Sequence, residues 1–539
     1  MINSPEKIFS QYQTAAAFKE TLGKHGLSEQ NRINERFYVG DQWHGAACGS
    51  DRPLVRHNVI RRIGDFKIAE LSSAPVDVRF FAEGFAQNSA VSELILSERK
   101  ALSKEGKTIF APLKSENEIA LMVSALNSYR KTTEKRIGLA RIIDLALRDA
   151  YITGTGAVYT YYDPDIETGL FADRIGSTQI LGDIVCERIR VENIYFGDPA
   201  VTELQKQPFI ILTEQKSGFD LSFEAKRFGA PEPHIDRLAS KGEEKLTVFT
   251  KLYKVKKGNK TEVFAVKTTK DSIVRPDFSM GIEVYPLSIF CFEKREGCIY
   301  GQSEISYIIP NQIAINRMLT AGVWSAMSAG MPLMVVNGDL VGGEITNEPG
   351  QVIKVFGTPE ETRSAINYIN PPDHSEGYNQ AVDSLIYNTL TQCGANEAAL
   401  GDMEATNTSA IIELREASAK YLVPLKNRYY RFLEDIALVW KNFFFAMYGK
   451  RCLKISDENG IWYFPFDAAK YSSLVLSVNA VATEGMTRSK QYTLNTLGTL
   501  LEKGAITPLQ YLKRIPEGII PDLKNLIGEM EKEAENERI

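Results

Sequence analysis

The sequence has few histidines and no paired cysteines, and these shortages exclude several classes of site. Its 539 residues include 5 histidines, and none of them shares a helical face with a carboxylate at metal-ligand spacing. Zinc sites need clustered ligands, so the sequence predicts no metal centre. The 6 cysteines are scattered without a CxxC pair. In a chain of this size they are typical of free thiols in a reducing cytosol, not of a disulfide framework.

Long apolar runs and an excess of basic charge are missing too. The most apolar window, residues 321–336, is too short to span a bilayer and is interrupted by Ser325, Ser328, Gly330 and Pro332. The first residues show no secretory signal, so we expect a cytosolic setting without a membrane. A net charge of −5 disfavours tight general binding of nucleic acid, but it leaves loose passage of DNA open.

Two nucleotide-binding motifs are nearly present, and both fail. Gly106-Lys107-Thr108 resembles the end of a Walker A loop, but Ala101 stands where its first glycine belongs and no buried strand precedes it. Gly154-Thr155-Gly156 resembles the start of a dinucleotide fingerprint. Tyr159 replaces the third glycine there, and the order helix-then-strand is the reverse of a Rossmann unit. We interpret the first segment as a surface loop and the second as a turn.

The sequence also contains no motif typical of nucleophilic or acid–base catalysis. The G-x-S-x-G pattern is absent, and Cys393 has no basic partner in the sequence. Asp402 and Glu404 form a carboxylate pair of the kind that hydrolases use, but nothing in the pattern places them in a cleft. The sequence therefore predicts no catalytic residue, no cofactor and no enzyme.

The first 300 residues predict helices followed by an α+β region. Helical spacing of apolar residues indicates helices near the start, at 58–71 and at 116–150, while 97–113 is polar and basic. Alternation after Gly156 predicts strands at 157–162, 183–195 and 284–293, and a hairpin of 245–253 with 262–266. Residues 214–229 are interpreted as a surface helix.

The second part is dominated by long helices. Residues 303–329 form one helical pattern, with Ser303 as N-cap and with Pro310 either bending the helix or delaying its start. Short strands are predicted at 333–336, 352–356 and 365–369, and a second helix at 376–392. A loop, 394–408, precedes a helix over 409–448 that Pro424 is expected to kink near 420–422. The last part of the chain is predicted to form two strands, 453–455 and 474–478, and a polar helical tail.

One stretch has charge of a single sign. Residues 373–408 contain no lysine or arginine but six carboxylates, namely Asp373, Glu376, Asp383, Glu397, Asp402 and Glu404. Such a run is usually a solvated face. It also suits a wall past which a polyanion must slide without sticking. The charge pattern alone does not decide between these two interpretations.

Four segments, in this order, resemble those of tailed-bacteriophage portal proteins. They are Asn34 to Trp43 with Arg52-Pro53-Leu54 and Asn58; Thr153 to Gly156; Tyr300 to Ser303 leading into Ile308 to Gln312 and Asn316; and Thr406 to Ala410. The resemblance covers roughly residues 30–480. Without the other segments, Tyr38 to Trp43 would be interpreted as a buried aromatic helix end with a Gly-Asp turn.

The resemblance implies an α+β, predominantly helical portal-type fold, arranged as a ring of subunits. The wing would comprise residues 1–300 and 409–482. The two stem helices would be 301–329 and 373–393, and the clip would be 330–372. The tunnel loop would be 394–408 and the crown 483–539. The aromatic half of the helix over 409–448 is expected to be core and not a base-stacking surface.

The resemblance also implies a function and partners. The chain would form a ring of twelve copies at one capsid vertex of a virion made in a bacterial cytoplasm. The ring would conduct double-stranded DNA, without sequence specificity, during packaging and ejection. It would dock the large terminase and the head-tail adaptor, and would contact the major capsid and scaffolding proteins.

Site residues follow by position within this scheme. Asn396, Glu397, Asp402, Glu404 and Asn407 would face DNA from the tunnel loop; Asp373, Glu376 and Asp383 would lie on the channel side of the stem; and Asn337, Asp339, Glu344 and Glu348 would bind partners at the clip.

Two rival functions remain. Another virion structural protein, such as a minor capsid or adaptor component, is one, although adaptors are usually smaller and need no long helical stem. A packaging nucleotide hydrolase is the other, and the missing Walker A loop argues against it.

Overall fold

The computed structural model describes most of the chain. The described residues are 3–44, 54–73, 76–82, 116–171, 179–258, 260–331, 333–342, 354–369, 375–395, 400, 419–457, 460–471, 474–482, 490–515, 523 and 526–527. They form a mixed α+β architecture around one main hydrophobic core and two small satellite clusters.

Among the described residues, the chain opens with helices α1 Pro5–Thr21, α2 Leu27–Val39 and α3 Val59–Ser72, continues with strand β1 Val76–Ala82, and then forms helices α4 Glu116–Ile137 and α5 Leu139–Thr153. Asn58 caps α3, because its side chain accepts a hydrogen bond from the Arg61 amide. The expectation of one helix over 116–150 is wrong. Gly138 adopts a left-handed φ of 68° between α4 and α5, a conformation that interrupts a right-handed helix. The basic stretch 97–113 lies outside the described residues.

Two antiparallel sheets follow. The first has the order β3-β2-β9, with β2 Thr155–Phe171, β3 Gln179–Arg190 and β9 Leu287–Cys291. The second has the order β4-β5-β6-β7-β8, formed by β4 Ile194–Phe196, β5 Phe209–Ser217, β6 Lys245–Lys257, β7 Lys260–Thr268 and β8 Ile273–Ser279. The predicted hairpin is confirmed as β6–β7; β6 starts at the predicted residue, and both strands extend further toward the turn, with β7 also ending two residues later.

Two expectations in this region are wrong. Residues 183–195 are not one strand, because a 3₁₀ turn at Val191–Asn193 passes the chain from the first sheet to the second. The ammonium group of Lys19 fixes that turn by donating to the carbonyls of Val191 and Glu192 at 2.7 and 3.0 Å. Residues 214–217 belong to β5, and the helix starts only at α6 Gly218–Arg227, followed by α7 Glu232–Ala239.

The predicted long helix and its return partner are both present. Helix α8 spans Ile305–Ala329 and continues through Pro310, so the proline does not delay its start. Its N-cap position is Glu304, not Ser303. The Ser303 hydroxyl donates to the Tyr151 carbonyl and accepts from the Ile305 amide. Helix α10 spans Ser375–Gln392. Between them lie β10 Leu333–Val336, β11 Val341–Gly342, β12 Lys354–Val355, α9 Pro359–Ser364 and β13 Ile366–Ile369.

The remaining elements close the core. They are α11 Val423–Met447, β14 Lys450–Asp457, β15 Gly460–Asp467, α12 Ala468–Tyr471, β16 Leu476–Ala482, α13 Lys490–Glu502 and α14 Pro508–Leu512. A 3₁₀ turn at Lys420–Leu422 replaces regular helix where the kink was predicted. The aromatic half of α11 is core, as predicted: Phe432, Trp440 and Phe444 are buried, and Phe444 contacts Phe80 of β1 Val76–Ala82. Strand β16 pairs with β1.

Candidate functional site: a helix pair and its base

Helices α8 and α10 pack against each other in antiparallel orientation, and we call them the helix pair. Near one end, the side-chain amide of Asn311 donates to the Thr389 hydroxyl at 3.1 Å. Near the other, a β-carbon on Gly322 would lie 3.3 Å from that of Tyr378. Gly322 therefore lets the two backbones approach closely. At 25 residues, α8 is about 38 Å long.

The base of the helix pair is the region from Tyr300 to Asn316 with the segments that contact it. Gln312 is fully buried there. Its carbonyl oxygen accepts from the Val59 amide at 3.0 Å, and its amide donates to the His57 carbonyl at 2.6 Å. One side chain of α8 thus satisfies both a donor at the start of α3 and an acceptor just before it, and it fixes the two helices relative to each other.

A second amide extends this network to the segment after α2. Asn316 donates to the Gln42 side chain at 2.6 Å and accepts from the His57 amide at 3.1 Å. Trp43 in turn donates its indole N–H to the Val55 carbonyl at 3.1 Å. Gln42 and Trp43 therefore link the described residues that flank 45–53 to each other and to α8.

Glycines at 154, 156 and 301 allow the closest backbone approaches at the base. A β-carbon on Gly154 would lie 2.6 Å from the Gln302 backbone, and Gly154 has a φ of +88°. A β-carbon on Gly301 would lie 2.2 Å from the carbonyl oxygen of Gly154. A β-carbon on Gly156 would lie 2.0 Å from the carbonyl oxygen of Ala146. The Gly301 amide also donates to the Thr155 hydroxyl at 2.8 Å. These positions explain why the 154–156 segment is glycine-rich without any nucleotide.

A buried ion pair lies where α8 begins. The Lys67 ammonium of α3 is 2.6 Å from a carboxylate oxygen of Glu304, and the two side chains are 8% and 10% exposed. The other carboxylate oxygen of Glu304 is buried without a hydrogen-bond partner. Burial, reinforced by the Glu304 carboxylate, raises the pKa of the Cys393 thiol to about 12, so this cysteine just after α10 is not a reactive thiolate.

Three of the sequence segments that carry the resemblance thus meet at one place. Residues 34–43, 153–156 and 300–316 are far apart in the chain, yet each contributes contacts to the base of the helix pair. The fourth, 406–410, lies outside the described residues. Lys67 and Glu304 were missed by sequence reasoning, although a lysine among the apolar residues of α3 and a lone glutamate before an apolar helix were visible signals.

The predicted site residues are only partly placed. Glu376 and Asp383 are exposed on α10, and Asn337 and Asp339 are exposed in the turn after β10. Others lie outside the described residues: Asp373, Glu344, Glu348 and the loop residues Asn396, Glu397, Asp402, Glu404 and Asn407. The assignment of all these residues to a channel or a clip stays a prediction.

The distal end of the helix pair, from Val323 through β13, exposes many large apolar side chains. Val323, Met327 and Met331 are 38, 42 and 69% exposed. Further exposed members are Met334, Val335, Phe356, Tyr368 and Ile369. Exposed large apolar side chains gathered in one region often mark a contact with another chain.

Two kinds of feature are not found in the part of the chain that the structure describes. No group of three or more histidine, cysteine, aspartate or glutamate side chains there could hold a metal ion. No helix among the described residues is both long enough and apolar enough to cross a membrane.

Several solved structures, among them three chains of gene transfer agent particles, align with most of the chain. A chain from the neck of an empty gene transfer agent particle, computed with C6 symmetry, is 10% identical, covers 86% of this chain and 91% of its own, and gives a TM-score of 0.33. A chain from the neck of the native particle, computed with C12 symmetry, is 9% identical, with coverages of 87 and 90% and a TM-score of 0.30. A chain from the virion of the native particle is 9% identical, with coverages of 96 and 98% and a TM-score of 0.33.

At TM-scores this low the likeness does not establish a shared fold. No protein-family model and no curated protein matches the chain.

Proposed function

We propose that the chain is a virion structural protein of a tailed phage or phage-like particle, and specifically a portal-type ring subunit at one capsid vertex. The ring would have twelve copies and would conduct double-stranded DNA during packaging and ejection. The proposal assigns α8 and α10 to the stem, the β10–β13 region to the clip and the remaining core to the wing.

The helix pair carries the proposal. Its base is anchored in the core by buried amides and an ion pair, whereas its distal end leaves apolar side chains in water. In a single copy, the exposed apolar side chains of the distal end do not contribute to stability, because apolar side chains stabilise a protein only when they are buried. Neighbouring copies placed side by side would cover them. A ring of such pairs would form a tube.

DNA would pass through the tube by loose contact. Packaged DNA has no fixed sequence, so contacts would go to its backbone and not to its bases. The carboxylates of residues 373–408 would repel phosphates and prevent tight ion pairs that brake translocation. The terminase and the head-tail adaptor would dock at the clip, and the capsid and scaffolding proteins at the wing.

Particle images of the purified full-length chain test this proposal. We expect rings with an axial opening in two-dimensional class averages and a mass of about twelve subunits, with no ATP hydrolysis. A monomer or a hexamer without an opening would contradict the portal assignment. ATP turnover would favour a nucleotide hydrolase instead.

The acidic loop has its own test. Replacing both Asp402 and Glu404 by lysine is expected to leave the ring intact and to reduce the DNA packaged per head, because lysines would bind phosphates. The length of packaged genome would be measured after complementation with the variant. Replacing both residues by asparagine and glutamine is the matched control, since it removes the repulsion without adding attraction. Normal packaging by the lysine variant would show that these side chains do not face DNA.

A further inference from the structure

Helix α8 and helix α10 carry opposite charges at matching heights. Arg317 is the only charged residue within α8, while α10 contains Glu376 and Asp383 and no basic residue. Arg317 and Asp383 are both exposed. Neither has an ion-pair partner among the described residues.

The contacts between the two helices fix their register. Arg317 lies six residues after Asn311, and Asp383 lies six residues before Thr389, the residue to which Asn311 donates. Arg317 also lies five residues before Gly322, and Asp383 five residues after Tyr378, which packs on Gly322. Because the helices are antiparallel, Arg317 and Asp383 therefore stand at the same height along the pair.

The two side chains nevertheless point to opposite sides. At about 100° per residue, Arg317 lies roughly 130° around α8 from the direction of α10. Asp383 lies roughly 130° around α10 from the direction of α8. Because the helices run in opposite directions, these two rotations carry the charges to opposite faces of the pair. An ion pair within one chain is excluded by this arrangement. A second copy displaced sideways, without vertical shift, would bring its Arg317 opposite the first copy's Asp383.

We propose that Arg317 of one copy pairs with Asp383 of the next copy and sets the register between adjacent helix pairs. The proposal rests on the proposed ring, because it requires a neighbouring copy related by rotation alone. It gives Asp383 a contact between copies in place of the channel-facing role expected from the sequence. The complementary charges favour a second copy of this chain as the occupant of this face over a partner of another kind.

The pairing also has a directional consequence. The contact joins two different faces, so each copy offers one arginine and one aspartate and the arrangement closes only as a ring. A two-fold dimer would bring like faces together, placing Arg317 against Arg317 or Asp383 against Asp383, and like charges repel. The charge arrangement therefore selects against dimers.

Thiol crosslinking of the assembled full-length protein tests the pairing. The variant with both Arg317→Cys and Asp383→Cys would be treated with a short bifunctional maleimide and run under denaturing conditions. We expect a ladder of covalent multimers containing most of the subunits. The matched control combines Arg317→Cys with Glu376→Cys, which lies on the same face of α10 but about 10 Å away. This control, each single variant and the unsubstituted chain are expected to give at least fivefold less multimer.

Images of the same samples separate this proposal from the ring itself. Rings without a specific 317–383 ladder would overturn the pairing and leave the proposed function standing. A specific ladder in rings supports both. The absence of rings from the unsubstituted chain would overturn both.

Charge reversal gives a second measurement. Arg317→Glu and Asp383→Lys, made separately, are each expected to lower the ring fraction at low salt, and the double reversal is expected to restore it. The loss is expected to shrink at high salt, because exposed charges are screened. Equal ring fractions in all variants at low salt would overturn the pairing.

Discussion

The base and the distal end of the helix pair are built in opposite ways. At the base, Gln312 and Ile315 of α8 are fully buried, and the Gln312 side-chain amide bonds to both the Val59 amide and the His57 carbonyl. At the distal end, the large side chains are apolar and in water, as at Met331. The first region is complete in a single copy, and the second is not. In the proposed ring, the distal end would gain its packing only on assembly.

Removing the cation of the buried ion pair is expected to have the largest effect. Lys67→Met would leave the Glu304 carboxylate buried and unpaired, at a cost of about 3–5 kcal/mol in the free energy of unfolding. Urea titration of the unassembled chain, followed by tryptophan fluorescence, measures this. The double variant with Glu304→Met is expected to recover much of the loss, because no charge then remains buried. A cost below about 1 kcal/mol for the single variant would show that the base does not depend on this pair.

Crowding the glycine contact at the base is expected to cost somewhat less. Gly154→Val would place a β-carbon 2.6 Å from the Gln302 backbone and would force a branched residue into a left-handed φ of +88°. The expected loss is about 2–4 kcal/mol. Gly377→Ala is the matched control on α10, because nothing lies within 4 Å of its β-carbon. That control is expected to stabilise the chain by up to about 1 kcal/mol through helix propensity. Equal effects of the two variants would refute the close-packing argument.

Lys19 provides a contrast to the Lys67 pair, because it is a buried lysine bonded to two carbonyls, with no carboxylate of the described residues at hydrogen-bond distance. Burial lowers its pKa to about 7, against the weaker opposing effects of Glu192 and Glu20. Above that pH the folded chain has lost the proton that the unfolded chain keeps up to about pH 10.5. This group therefore makes stability rise with pH above about 7, by at most about 1.4 kcal/mol per pH unit.

The test of Lys19 compares the unsubstituted chain with Lys19→Met between pH 7 and 9. Buried tyrosines with raised pKa values, such as Tyr38 at about 12, act only at higher pH. The difference in free energy of unfolding between the two chains is expected to change with pH across this window. A difference that stays constant would mean that Lys19 keeps its charge in the folded chain.

Regular elements were predictable where local signals and tertiary contacts agree. Helix α10 was predicted within one residue of its observed start, and α8 within two, because apolar periodicity defines both helices. Gly330 and Pro332 mark the end of α8. The break at Gly138 was missed, because a single glycine inside a helical pattern does not reveal its φ. The division of 183–195 between two sheets was missed as well, because it depends on Lys19, more than 160 residues away.

The base of the helix pair could be predicted only in part. Its segments were recognisable in order along the chain, but nothing in the sequence states that Gln312 bonds to the start of α3 or that Gln42 reaches Asn316. Such contacts follow from topology. The charged positions behaved differently: Arg317 and Asp383 were ordinary exposed residues in the sequence, and their equal height appeared only once the register of the two helices was known.

The smallest effect in a single copy is expected at the distal end. Met327→Ser with Met331→Ser changes side chains that are 42 and 69% exposed, so the unassembled chain should lose no more than about 0.5 kcal/mol. The ring is nevertheless expected to dissociate at a lower urea concentration, because the apolar contact between copies is weakened. Mass photometry of the ring fraction across a urea series measures this. Ile308→Ser is the matched control at the base, where the same chemical change is expected to destabilise the single copy itself. If the two distal substitutions instead cost the unassembled chain more than about 1 kcal/mol, the distal end would already be packed within one copy, and the contrast between the two regions would fail.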